Sequence, residues 1–407
     1  MNPSGLPRLT AGFLPLLDAV LLVLAHEKGF AQQEGFDLHL VRETSWANIR
    51  DRAAVGHFDL AQMLAPMPIA ASLGVTPLAT AMISPIVLGL GNNAVTVSDE
   101  LWQAMAAEGA KGDLAPGTTG AALARVVRRL PRRLKFGVVH QISSHNYELR
   151  YWLAASGVMP ERDVDIVVLP PPLLPEALST GGIDGYCVGE PWNSVGVDRS
   201  GAHIATVKAA IWQSSPDKLI GMRAAWADAN PDLVAAVIRA IYRAGLWCAD
   251  PANREETAAI MAGPAYLNLP PEIVRRALDG RLNTGGGRTS EISDFFIPHA
   301  SAANFPWKSH ALWYYSQMVR WGEAAASPAN AAIAADCFRP DLYRAALKPL
   351  GVPVPPTDSK ADGAHPGPWE TGGIAMGPDL FFDGHLYDPA QLDDYIASQT
   401  TPRLIKD

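Results

Sequence analysis

Short β-like runs alternate with helix-like ones from the start of the chain: residues 9–13 read as a strand, 17–29 as a helix, 36–42 as a strand, and a second helix opens at Trp46. This order predicts an α/β fold, with helices covering a largely parallel sheet. Further strands are expected at 60–64, 77–90, 94–98, 135–139, 165–169, 185–188 and 204–207. The apolar run 77–98 is too long for one ordinary strand and carries Gly89, Gly91, Asn92 and Asn93, which suits a crossing between two lobes. A return crossing is expected near 216–222. The expected layout is therefore lobe 1 from 1–92 plus 219–325, lobe 2 from 93–218, and a C-terminal tail 326–407 packed on the lobes. After about 325 the Pro and Gly content rises, notably at 352–368, which favours an irregular tail wrapped on the surface. Two crossings predict a hinged cleft.

With 407 residues and 48% hydrophobic content, the chain can build more than one core. Its 33 basic and 41 acidic residues give a formal charge of −8, which offers no general attraction to nucleic acid or to an anionic membrane. An anionic ligand would need a locally positive site. Cys187, Cys248 and Cys337 are far apart and match no metal or redox spacing. Residues 13–25 imitate the centre of a secretory signal, but Pro15 and Asp18 interrupt them, and a cut near Ala25 would remove the first strand. No stretch reaches the roughly 18–20 uninterrupted apolar residues of a membrane helix. A cytoplasmic protein without membrane contact is expected. The chain has no GxSxG elbow, P-loop, HExxH or calcium-loop spacing, and its Gly89-Leu90-Gly91 lacks the third glycine of a dinucleotide fingerprint. Binding is expected over catalysis, with no cofactor and no metal.

Residues 143–157 read as a helix with serine caps, a glycine stop at Gly157, and Leu149, Trp152 and Leu153 on one face. His145 lies in its first turn, where free backbone N–H groups and the positive dipole end face an anion. Ser45 caps a second helix whose first residue, Trp46, carries one N–H donor and no acceptor, a suitable wall for an oxyanion. A tryptophan plugging the core would look the same. Asn92 and Asn93 can turn amide donors into the cleft, although asparagine is also an ordinary turn residue. Lys218 falls at the return crossing and can supply a full positive charge, whereas most lysines only solvate a surface. Gly189 stands at a strand end, where backbone N–H groups become available, and Glu190 beside it is expected to orient His145 or Lys218, or to serve the hinge. The dense basic stretch 125–135 reads as a solvated face, with docking of an acidic partner as the alternative.

Several strings converge on one family: Glu27-Lys28-Gly29-Phe30, Ser45-Trp46, Met63-Leu64-Ala65-Pro66-Met67-Pro68, Ser144-His145-Asn146-Tyr147, Val168-Leu169-Pro170-Pro171-Pro172, and Gly185-Tyr186-Cys187-Val188-Gly189-Glu190-Pro191-Trp192-Asn193. Over roughly residues 8–325 the chain resembles the nitrate and bicarbonate solute-binding proteins of cyanobacterial ABC transporters and their cytoplasmic relatives. The resemblance implies the type II periplasmic-binding-protein fold, two α/β lobes with a hinged ligand cleft. It also implies a ligand set of Trp46, Asn93, His145, Gly189 and Lys218, with Asn93 where the family's nitrate binders carry glutamine. The bicarbonate binders carry glutamate at the position of Lys218 and use calcium there, so a lysine favours nitrate or nitrite without metal. The chain looks most like the NasS-type cytoplasmic nitrate/nitrite sensors of this group, which implies an ANTAR-type RNA-binding antiterminator as partner and control of nitrate assimilation genes. The alternatives are the substrate-binding component of a nitrate or bicarbonate transporter, a sulfonate binder, and a thiamine-pyrimidine synthase, whose cysteine cluster is missing here. On this reading Lys218→Glu is expected to abolish nitrate binding and leave the fold intact.

Overall fold

The computed structural model describes residues 5–399. Eleven strands build its two main sheets and the link between them: β1 (Arg8–Phe13), β2 (Asp37–Arg42), β3 (Leu60–Leu64), β4 (Met82–Val87), β5 (Leu90–Gly91), β6 (Asn93–Val97), β7 (Leu134–Val138), β8 (Val164–Val168), β9 (Gly185–Gly189), β10 (His203–Val207) and β11 (Lys218–Arg223). The first sheet has the order β2-β1-β3-β11-β4 and the second β10-β6-β9-β7-β8. In each, four strands run in one direction and one runs against them, β11 in the first sheet and β6 in the second. Each antiparallel member is the first strand after a crossing. β4 and β6 are joined through Gly89, β5 and Asn92, and β10 and β11 through residues 208–217. The short β5 is held by pairing with Phe296 and Ile297.

Of the long apolar run 77–98, Met82–Val87 is strand, as are Leu90–Gly91 and Asn93–Val97. Gly91 breaks it, because its φ is +81° and a Cβ there would lie 2.1 Å from Phe295 O. The helix expected at 17–29 begins as a tight turn, Leu17–Ala19, and continues as Val20–Glu27, buried on every side through Ala25. This explains why it carries no polar face.

Beyond residue 325 the chain is more regular than its Pro and Gly content implies. It forms helices Pro328–Asp336, Pro340–Leu347 and Leu392–Ser398 and a hairpin, Trp369–Thr371 with Ile374–Met376. This part of the chain touches both lobes. Ser84 N, in β4, donates to Cys337 O at 2.6 Å, and Arg339 N donates to Ser84 O at 2.9 Å. On the other side Tyr151 Oη donates to Asp383 at 3.0 Å, and Phe381 stacks on Trp212 with ring centres 5.1 Å apart. Buried aromatics therefore fix the segment in place of long regular elements.

Candidate functional site in the interlobe cleft

Two helix starts face each other across the cleft. Ser45 accepts from Asn48 N at 3.2 Å and so starts the helix Trp46–Ala54 of lobe 1, while Ser143 accepts from Asn146 N at 3.0 Å and starts Ser144–Ala155 of lobe 2. Trp46 and His145 occupy the first turns and are 1% and 0% exposed. Lys218, the first residue of β11, places its ammonium 5.7 Å from the Trp46 ring centre and 3.4 Å from His145 Nε2. Asn93 at the start of β6 pairs in register with Gly189 at the end of β9. A Cβ on Gly189 would stand 3.1 Å from Asp18 Oδ2 and 3.3 Å from Asn93 Oδ1. The five residues Trp46, Asn93, His145, Gly189 and Lys218 are thus brought into one enclosed region between the lobes.

The hydrogen-bond inventory of this region is uneven. Lys218 Nζ has three protons and three partners: Asp18 Oδ2 at 3.1 Å, Asp217 Oδ2 in close contact, and His145 Nε2. Since an ammonium only donates, Nε2 must accept, and the proton of the neutral ring lies on Nδ1. Burial first, and the Lys218 charge next, hold His145 well below its ordinary pKa, so the neutral ring is the resident form. His145 Nδ1 and Trp46 Nε1 are both buried without a partner. Two orphan N–H donors beside an ammonium are the signature of a missing acceptor, because a native interior rarely leaves such groups unpaired.

Sequence reasoning expected one full positive charge at the cleft, and the structure corrects this. Lys208 is also buried there, meeting Glu148 Oε1 at 2.7 Å and Pro216 O at 2.5 Å. The two ammonium groups face three buried carboxylates, Asp18, Asp217 and Glu148. Asp18 is held by Asn92 Nδ2 at 3.1 Å and by Gln62, and Asp217 accepts from Ser144. Burial pushes Asp18 up to about 6 against the pull of Lys218. Asp217 is buried as well, but Lys218, Lys208 and His145 together overcome that and hold it below the ordinary carboxylate range. For Lys218, burial works against its charge, yet Asp18 and Asp217 outweigh it and leave the ammonium above its usual value. The site is a charge-compensated network, a less positive site than a bare lysine would make.

Glu190 does not orient His145 or Lys218. Its Oε2 accepts from Ser194 N at 3.2 Å, and burial pushes its carboxyl up to about 7. The basic stretch is largely consumed within the fold. Arg125 and Arg129 meet Glu108, Arg132 grips Asp184 with both nitrogens, and Arg133 meets Asp165. Asp18 carried a usable sequence signal, as one acid inside an apolar run of a buried helix has to find a cation. Lys208 and Asp217 carried none.

A cavity of about 540 Å³ opens at the cleft mouth between Arg50, Thr76 and Pro77 on one side and His140 and Gln141 on the other. Arg50 Nη1 approaches His140 Nε2 to 3.4 Å, which makes a direct polar contact between the lobes. Burial first, and then Arg50, lower His140 to about 4. Among the described residues no group of three or more His, Cys, Asp or Glu has the arrangement of a metal site. Nor, among the described residues, is any helix long and apolar enough to cross a membrane.

Two lobes joined by two crossings around an enclosed polar site define a binding protein of the type II periplasmic fold. The crystal structure of the periplasmic nitrate-binding protein NrtA from Synechocystis superposes with a TM-score of 0.85, at 28% identity, over 97% of this chain and 99% of that one. The chain belongs to the NMT1-like family, whose pattern matches residues 2–262. It is 33% identical to the nitrate/nitrite binding protein NrtA of Synechococcus elongatus over 398 residues, covering 95% of this chain and 85% of the relative. It is also 27% identical to the bicarbonate-binding protein CmpA of a Synechococcus strain over 406 residues, covering 95% and 85%. These relatives are named as binding proteins, not as enzymes.

Proposed function

We propose that the protein binds nitrate or nitrite between its lobes as the substrate-binding component of an ABC importer. One observation carries this reading: the N–H groups of Trp46 and His145, buried beside Lys218, have no acceptor in the protein. A planar oxyanion supplies acceptors on every edge and needs no donor in return. The two donors hold it by charge-assisted hydrogen bonds, each contributing about 1.5–3 kcal/mol. Lys218 supplies the charge by leaning from Asp18 toward the ligand, and Asn92 and Gln62, which also donate to Asp18, hold that carboxylate in place. Closure of the lobes around the anion excludes water and strengthens each of these contacts.

The resemblance that sets lysine, not glutamate, at position 218 favours nitrate over bicarbonate, and the likeness to a periplasmic nitrate-binding protein supports import over sensing. A NasS-type sensor would use the same closure to release an ANTAR-type antiterminator, and a cytoplasmic location belongs to that second reading. Calorimetric titration with nitrate, nitrite, bicarbonate plus calcium, and taurine tests the ligand. Binding of nitrate or nitrite alone supports the proposal, and silence toward both overturns it. Co-purification of an RNA-binding protein that nitrate releases would transfer the assignment to the sensor.

A further inference from the structure

Behind the site lies a buried pair that ligand binding as described above does not use, Glu148 and Lys208, each 1% exposed. Glu148 Oε1 meets Lys208, and Glu148 Oε2 accepts from Asn93 Nδ2 at 3.1 Å. The carboxylate thereby fixes the amide of Asn93 with its nitrogen turned away from the cleft. The oxygen end, Asn93 Oδ1, is buried without a partner and lies 3.3 Å from where a Cβ on Gly189 would stand. An acceptor oxygen in that place repels nitrate, whose three oxygens are also acceptors. Turning the amide over would present N–H groups instead, but it would set Oδ1 against a carboxylate oxygen unless a proton lies between them.

We propose that Glu148 is the positioning residue of the anion site: it takes up one proton as an aprotic oxyanion binds, donates it to Asn93 Oδ1, and so turns the Asn93 amide toward the ligand. The inference rests on the nitrate reading above. The proton comes from solvent and returns there on release; it settles on Oε2, and Oε1 remains an acceptor for Lys208. Titratable groups face Glu148 from every side: Lys208 from the helix Lys208–Ile211, Asp217 ahead of β11, Cys187 from β9, and Tyr314 from the helix Lys308–Arg320. Burial is the dominant influence and pushes Glu148 up to about 7, with Lys208 opposing and Asp217 assisting. The carboxylate therefore lies close to protonation before any ligand arrives. A ligand with its own hydroxyl, such as hydrogencarbonate, could donate directly to Asn93 Oδ1 and would need no such proton. Glu148 would then contribute to discrimination between the two anions.

The test is nitrate titration of the full chain by calorimetry in buffers of different ionisation enthalpy, from about pH 7 to 9, which yields both affinity and protons taken up. The expected wild-type result is about one proton per nitrate at the alkaline end, with affinity falling about tenfold per pH unit above the Glu148 titration. Glu148→Gln supplies a permanent N–H to Asn93 Oδ1, so proton uptake should drop by one and the affinity should stay near its neutral-pH level across the range. Uptake that survives undiminished in this variant overturns the inference and puts the proton on another carboxylate, Asp18 foremost. Asn93→Ala keeps the Glu148–Lys208 pair but removes the transmitter, so the pH slope should flatten there as well. Nitrate binding with no uptake in the wild type, or an unchanged slope in either variant, overturns the inference and leaves the nitrate reading standing. Absence of nitrate binding at every pH overturns both.

Discussion

Replacing Trp46 by Phe separates ligand recognition from folding. The indole is 1% exposed, and its Nε1 donor has no partner within the protein. A buried donor left unpaired costs about 1–3 kcal/mol, and Phe removes that cost from the ligand-free protein. The smaller ring leaves a void, whose cost of about 1–2 kcal/mol is a fraction of the roughly 3–5 kcal/mol for complete truncation of a buried aromatic. The two nearly cancel, so the thermal midpoint of the ligand-free variant should stay within a few degrees of wild type. Nitrate loses one charge-assisted hydrogen bond of about 1.5–3 kcal/mol, which weakens binding by about tenfold to a hundredfold. Titration calorimetry and a melting curve on the same preparation read both quantities. Nitrate affinity unchanged within twofold would show that the indole N–H does not face the anion and would refute the orphan-donor argument.

Lys218→Glu should do more than abolish binding. It sets a third carboxylate against Asp18 and Asp217 in a dry site, so a loss of about 3–5 kcal/mol in denaturant unfolding is expected, and Lys218→Met is the better probe of binding alone. Gly189→Ala puts a methyl group 3.1 Å from Asp18 Oδ2, which should cost about 1–3 kcal/mol of stability and weaken nitrate markedly as Asp18 shifts against Lys218. His145→Ala should weaken nitrate by about tenfold or more in the same titration, through loss of the Nδ1 donor. Burial, and then Arg50, lower His140 to about 4, below the ordinary histidine value, so between the two the unfolded chain binds more protons and stability falls as pH falls. Urea unfolding of His140→Gln against wild type should show this contribution removed, a difference in slope of up to about 1.4 kcal/mol per pH unit.

The elements of this fold were legible where local rules decide them. The helix with a Ser143 cap ends near Gly157, whose φ is +81°, and the strand expected at 60–64 is Leu60–Leu64. Each needs only a cap, a stop or an apolar run, which a linear pattern displays. The tail read poorly because Phe381 and Tyr395 hold it through contacts with the distant Trp212 and Trp313, and a Pro-rich sequence gives no sign of them. The charge balance of the site was the least legible part. Asp18, Glu148, Lys208 and Asp217 meet across separations of up to two hundred residues, and no spacing rule connects them. Asn93 was read as a shortened ligand contact; its partner in the structure is Glu148, a residue of the same helix as His145 that the sequence reading did not single out.

The measurement that bears most directly on the central claim is a crystal structure of the protein grown with nitrate. The expected result is a planar anion between the lobes, within about 3 Å of Trp46 Nε1 and His145 Nδ1 and in reach of Lys218 Nζ. A nitrate found elsewhere, or a cleft in which those two donors are paired with other protein groups while nitrate is saturating in solution, would contradict it.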